Sequence, residues 1–160
     1  MDNKEKRPNL MGKLKKAMEN ISVDIFGLEK KVSRNVINYL TTEALDLGVP
    51  VKQLRTRIME KDDTIKVYLH HQAQLVKEIP LCDLVYFFAD EGTAGLFNLE
   101  AKTIERIKPY MAQLRERYPV NKENLQIRIS TNGNKVIVRA YNDMDYIRDI
   151  SVKELIKYFR

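Results

Sequence analysis

The chain has one cysteine, Cys82, and two histidines, His70 and His71, in 160 residues. A single thiol excludes a disulfide framework and any cysteine-clustered zinc site. The histidines adjoin on a predicted strand, where neighbouring side chains point to opposite faces, so they are poorly placed to share a metal. Glycine is also sparse: six residues, scattered, with none of the spacings of a phosphate-cradling loop. The longest apolar run, residues 84–89, falls far short of the ~18 residues a membrane span needs. Nothing after the basic N-terminus reads as a secretory signal. The expectation is a cytoplasmic protein with no membrane span, no metal and no cofactor.

What is present is the composition of a folded chain, 44% hydrophobic and 31% charged, with a formal net charge of +6. The chain also resembles itself. At an offset of 71 residues, positions 26–88 align without a gap on 97–159, with 13 identical pairs among 63. Composition alone gives about 4. Tyr39/Tyr110, Leu54/Leu125, Arg57/Arg128, Val67/Val138 and Ile79/Ile150 are among the identities. The pattern reads as a tandem duplication. Residues 1–21 form an unpaired basic tail, residues 22–92 a first unit and residues 93–160 a second.

Each unit is predicted as helix, three-stranded antiparallel meander, helix. Ile104, Ile107, Met111, Leu114 and Tyr118 make one helical stripe, and Val36, Leu40 and Leu47 are its counterpart. Gly48 suits a left-handed helix end. Pro109 is expected to kink the second unit's helix. Strands follow at 54–60, 64–71 and 75–79, with a helix at 81–88. In the second unit, Leu125, Ile127 and Ile129 alternate with polar residues. Asn132-Gly133 signals a type I′ turn. Val136 and Val138 resume the alternation, and residues 146–150 form a third strand. Ser151-Val152-Lys153-Glu154 is a capping box opening the last helix. The fold class is α+β, with the units packed about a pseudo-twofold axis, because a unit of about 65 residues is marginal alone. The helix–three strands–helix order is similar to that of double-stranded-RNA-binding domains. That family opens its second helix with a lysine-rich phosphate clamp, whereas Ser151–Glu154 and Pro80–Asp83 are nearly neutral or acidic, so no residue role carries over.

Catalytic candidates are few. Asp143 with Asp145, and Asp62 with Asp63, sit in predicted turns that favour aspartate for its own backbone bonding. Cys82 has no specified partner and reads as a small core residue. No catalytic residue is assigned, and an enzyme is not expected.

Alternation sends Arg55, Arg57, Lys66, Tyr68 and His70 outward in the first unit, and Arg128, Ile137, Arg139 and Tyr141 in the second, with Tyr146 and Arg148 joining on the last strand. Arg57, Tyr68, Arg128, Ile137, Arg139, Tyr141 and Arg148 form the candidate binding face. Arginine and tyrosine on a sheet suit phosphates and stacked bases; the plainer alternative is a solvated surface. The tail places Leu10, Met11, Leu14, Met18 and Ile21 at helical spacing, with Lys13, Lys15 and Lys16 as candidate contacts. Packing back on its own domain is expected there, rather than membrane contact. Charge divides as +3 in the tail, −2 in the first unit and +5 in the second. The leading expectation is a non-enzymatic interaction protein that binds a protein partner or itself. Nucleic-acid binding by the basic face of the second unit is the runner-up. A small ligand in an inter-unit cleft comes third.

Overall fold

A computed structural model describes residues 27–81, 83 and 96–159. Helix α1 occupies 27–47. A 3₁₀ turn at Val51–Gln53 leads into strands β1 (Leu54–Lys61), β2 (Thr64–His71) and β3 (Gln74–Ile79). Helix α2 (Leu96–Arg117) precedes β4 (Leu125–Asn132), β5 (Lys135–Asn142) and β6 (Asp145–Ile150), and α3 (Val152–Phe159) closes the chain. The predicted tail helix with Lys13, Lys15 and Lys16, the Cys82 thiol and the linker at 90–95 lie outside the described residues. So does most of the helix expected at 81–88, of which Leu81 and Asp83 are helical.

The two meanders merge into a single antiparallel sheet of six strands, ordered β3-β2-β1-β4-β5-β6. The join is the pairing of β1 with β4, in which Arg57 faces Arg128 and Ile58 faces Ile127. Pairings in the first meander recur 71 residues later in the second. Arg57 faces Tyr68 as Arg128 faces Arg139, and Val67 faces Ile79 as Val138 faces Ile150. The register shift at Leu69/His70 likewise recurs at Ala140/Tyr141. Position for position, the pair in which an offset of 71 meets itself across the join is Arg57–Arg128.

Alternation produces one buried face. Leu54, Ile58, Ile65, Val67, Leu69, Leu125, Ile127, Ile129, Val138 and Ala140 share one parity and one core. Val32, Val36, Leu40 and Ala44 of α1 join that core, as do Ile107, Tyr110, Met111 and Leu114 of α2 and Leu155 of α3. Fully burying one Leu or Ile side chain contributes roughly 1.5–3 kcal/mol. The first helix's stripe therefore steps in fours through Ala44, and Leu47, expected on it, is 41% exposed at the helix end. There Gly48 adopts φ +68°, and the Val49 amide donates to the Ala44 carbonyl at 3.1 Å. Helix α2 runs on through Pro109. The β4–β5 turn centres on Gly133-Asn134, one residue beyond the expected position. Only Gly133 has a positive φ, which is the type II′ arrangement that glycine at the first central position permits. The type I′ pattern, with two positive φ angles, occurs instead at Asp62 (54°) and Asp63 (61°).

Polar side chains at the helix–sheet boundary are paired. Glu60, on the inward parity of β1, bonds Arg115 of α2, with the Lys122 ammonium 3.6 Å away. Glu154 accepts from the Tyr110 hydroxyl and from both terminal nitrogens of Arg148, at 2.7 and 3.3 Å. Its backbone amide donates to Ser151 Oγ at 3.1 Å, which completes half of the predicted capping box. No described helix is long and apolar enough to cross a membrane.

Candidate functional site

The opposite face of the sheet contributes nothing to the apolar core, and no described helix residue buried in that core packs against it. Cross-strand partners share a face, so the register defines its rows. The central row runs Glu78, Tyr68, Arg57, Arg128, Arg139, Asp149 from one edge of the sheet to the other. On one side of it lies the row Leu75, His70, Arg55, Ser130, Ile137, and on the other Lys66, Met59, Gln126, Tyr141, Tyr146. Six of the seven predicted face residues, Arg57, Tyr68, Arg128, Ile137, Arg139 and Tyr141, are thus brought together.

Arg148 is the exception and is corrected. Ala140 faces Arg148 while Tyr141 faces Tyr146, so Ile147 is an extra residue that reverses the alternation. Arg148 therefore lies on the helix side, beside buried Ala140, with its guanidinium committed to Glu154.

Three arginines occupy the middle of the face. Arg57 and Arg128 are directly opposed, and Arg55 lies on the same side of β1 two residues from Arg57. Arg57 Nη1 and Arg128 Nε both donate to the Gln126 side-chain oxygen, at 3.3 Å each. Arg128 also donates to the Asp143 carbonyl at 2.9 Å and stacks on Tyr141, 3.9 Å from the ring centre. Arg55 makes no hydrogen bond or ion pair among the described residues, and the Nε atoms of Arg55 and Arg57 are buried without partners. Among the described residues no carboxylate pairs with any of the three. The face's acids serve elsewhere: Glu78 binds Lys66 at 3.1 Å and Asp149 binds Arg139 at 3.2 Å, both near the edges.

Electrostatics follow from that arrangement. Burial, then the neighbouring Arg55, lowers the pKa of both Arg57 and Arg128. His70, opposite Arg55, is only 6% exposed, and neither ring nitrogen has a partner among the described residues. Burial first, and then Arg57, Arg55 and Arg128, lower its pKa to about 4. The neighbouring His71 points the other way and shares a 2.8 Å hydrogen bond with Gln53. Two hollows flank the cluster. One, of about 390 Å³, is lined by Lys52, Arg55, Arg128, Ser130, Arg139 and Tyr141. The other, of about 600 Å³, is lined by Arg57, Lys61, Tyr68 and Lys122 but also by Glu60, Asp62, Asp63 and Glu123, with Lys122 paired to Asp63 at 3.2 Å.

Arg55, His70 and Gln126 were not among the predicted site residues. The parity that selected Arg57 also selects Arg55 and His70; their significance depends on the β1–β4 join. Among the described residues no group of three or more His, Cys, Asp or Glu side chains could hold a metal ion. No protein-family model, curated protein or solved structure matches the chain.

Proposed function

We propose that the protein is a non-enzymatic, cytoplasmic binding protein whose open sheet face takes single-stranded nucleic acid. The observation that carries this reading is the group of three arginines at the centre of the face, none of them ion-paired to a carboxylate among the described residues, with Asp143 the acid whose charge reaches Arg57 and Arg128. Like charges directly opposed across strands are destabilising. Such a cluster is expected where an anionic partner supplies the missing charge. Tyr68, Tyr141 and Tyr146 on the same face offer rings for bases to stack on. The hollow lined by Lys52, Arg55, Arg128 and Arg139 has no carboxylate in its lining and would carry the strand away on that side.

The same reading includes a duplicated chain with a pseudo-twofold axis at the Arg57–Arg128 pair. Its support is the recurrence of registers and of the register shift at an offset of 71. Duplication would then explain how one arginine per unit becomes an opposed pair. A protein partner or self-association, the leading expectation from sequence, has weaker support. The exposed apolar residues of the face, Leu75 and Tyr146, lie on the two outermost strands and form no contiguous patch.

The test is fluorescence anisotropy with labelled single-stranded RNA and DNA twelve-mers at 50 mM salt. Binding that weakens in R57Q and R128Q supports the reading. Absence of binding to either probe refutes it.

A further inference from the structure

We propose that Arg55, Arg57 and Arg128, together with the buried His70, form a seat for one phosphate group. The inference rests on the nucleic-acid reading for the source of that phosphate, and on the geometry alone for the seat. Three arginines on two strands share a face with the imidazole on a third; Arg57 and Arg128 hold Gln126 on the far side of their row, while Arg55 holds nothing among the described residues. Arg55 faces His70, Arg57 is diagonal to it, and Arg57 faces Arg128. Four buried nitrogens of the group have no hydrogen-bond partner among the described residues: His70 Nδ1 and Nε2 and the Nε atoms of Arg55 and Arg57. A tetrahedral oxyanion offers several acceptor oxygens and accepts the paired N–H groups of a guanidinium fork. The imidazole is 94% buried, and no described residue bonds its nitrogens.

Bound phosphate would reverse the electrostatic balance at His70. The groups around it are Arg55 and Arg57 on β1, Arg128 on β4, and Tyr68 and Lys66 on its own strand. On β3, Leu75 faces it and Glu78 is held by Lys66. Burial first, and then these cations, keep the ring neutral in the free protein. An anion seated among them favours the imidazolium, so binding is accompanied by proton uptake from solvent and strengthens as pH falls toward 5.

The experiment is a pH titration of the His70 imidazole by ¹H–¹³C NMR on the full chain, with H71Q used to assign the two rings. It is run in chloride, in acetate and in inorganic phosphate at equal ionic strength, and with the RNA twelve-mer. The expected result is a pKa raised by at least one unit in phosphate and in RNA but not in acetate. Phosphate binding should weaken at least fivefold in R57Q and R128Q, with R57K intermediate because it keeps the charge and loses the fork. A shift with phosphate, with no RNA binding by anisotropy, supports the seat and removes the nucleic-acid reading, leaving a small phosphorylated ligand. RNA binding by anisotropy with the His70 pKa unchanged in both overturns the seat and leaves the nucleic-acid reading intact. No His70 shift in either together with no RNA binding by anisotropy overturns both. Circular dichroism of each variant separates loss of binding from loss of fold.

Discussion

Replacing Arg55 with glutamine should make the protein more stable while making it a poorer binder. Arg55 has two like-charged neighbours, Arg57 and Arg128, and among the described residues no hydrogen-bonded or ion-paired partner to lose. Unit charges about 7 Å apart repel by about 0.6 kcal/mol in water, more where the sheet excludes solvent. Two such neighbours give about 1 kcal/mol, from which the shortened stem's lost packing subtracts a few tenths. A net gain of about 0.5–1 kcal/mol corresponds to roughly 1–4 °C in a domain of this size. The gain must also be electrostatic in kind. With a screening length of ~30 Å at 0.01 M salt and ~3 Å at 1 M, it should be largest at low salt and nearly vanish at high salt. Thermal melts of R55Q and the parent protein across that range provide the assay, and the His70 pKa should rise in the variant as one depressing charge is removed. A lower melting temperature for R55Q at low salt would show that the arginines are not mutually unfavourable. The reasoning from an unneutralised cluster would then fail.

Three further outcomes follow from the same geometry. His70 has an ordinary pKa of 6.5 when unfolded and about 4 when folded, so the unfolded chain binds more protons between those values. Stability should therefore fall as pH drops from about 6.5 to 4, and H70Q should flatten that slope in urea titrations; an equal slope in both proteins would contradict the assignment. Glu60 is 4% exposed and bonded to Arg115, with Lys122 at 3.6 Å as a second cation, so R115M leaves a buried carboxylate with that one partner and should cost about 1–2 kcal/mol. E60Q should cost less, because Arg115 can turn to water; chemical denaturation giving the opposite order would refute this. Glu154 is held below the usual carboxylate range, since the Tyr110 and Arg148 bonds outweigh the opposing effect of burial. R148Q should therefore cost about 1 kcal/mol of stability, most evident above the unfolded carboxylate pKa and lost as pH falls through the folded one. It should leave anisotropy-measured RNA affinity unchanged, in contrast to R128Q.

Much of the architecture was legible because it is local. Strict alternation identified the strands and the inward side of β1, β2, β4 and β5, and Ser151–Glu154 and Gly48 marked helix ends by their own chemistry. What escaped was non-local or a single residue wide. Pairing of β1 with β4 brings together residues 71 apart, and no local pattern specifies it, so the opposition of Arg57 and Arg128 was not visible. The bulge at Ile147 moved Arg148 to the helix side, and neither turn residues nor composition announce it. Charge counted by unit also misdirected the reading. The first unit is net acidic, yet it supplies Arg55 and Arg57, because its own acids are placed elsewhere. Glu60 points inward to Arg115, Asp62 and Asp63 sit in the hairpin turn, and Glu78 is spent on Lys66. Charge follows the face of the sheet more closely than it follows the repeat.

The most direct test of the central claim is the salt dependence of RNA affinity. One phosphate over the arginine cluster and one in the flanking basic hollow make about two contacts, which for a single strand gives a log–log slope of about −1.4. Affinity should fall roughly 7-fold between 50 and 200 mM salt, and R57Q/R128Q should reduce the slope by about 0.7 as one contact is lost. A slope near zero, or the same slope in the double variant, would contradict the account.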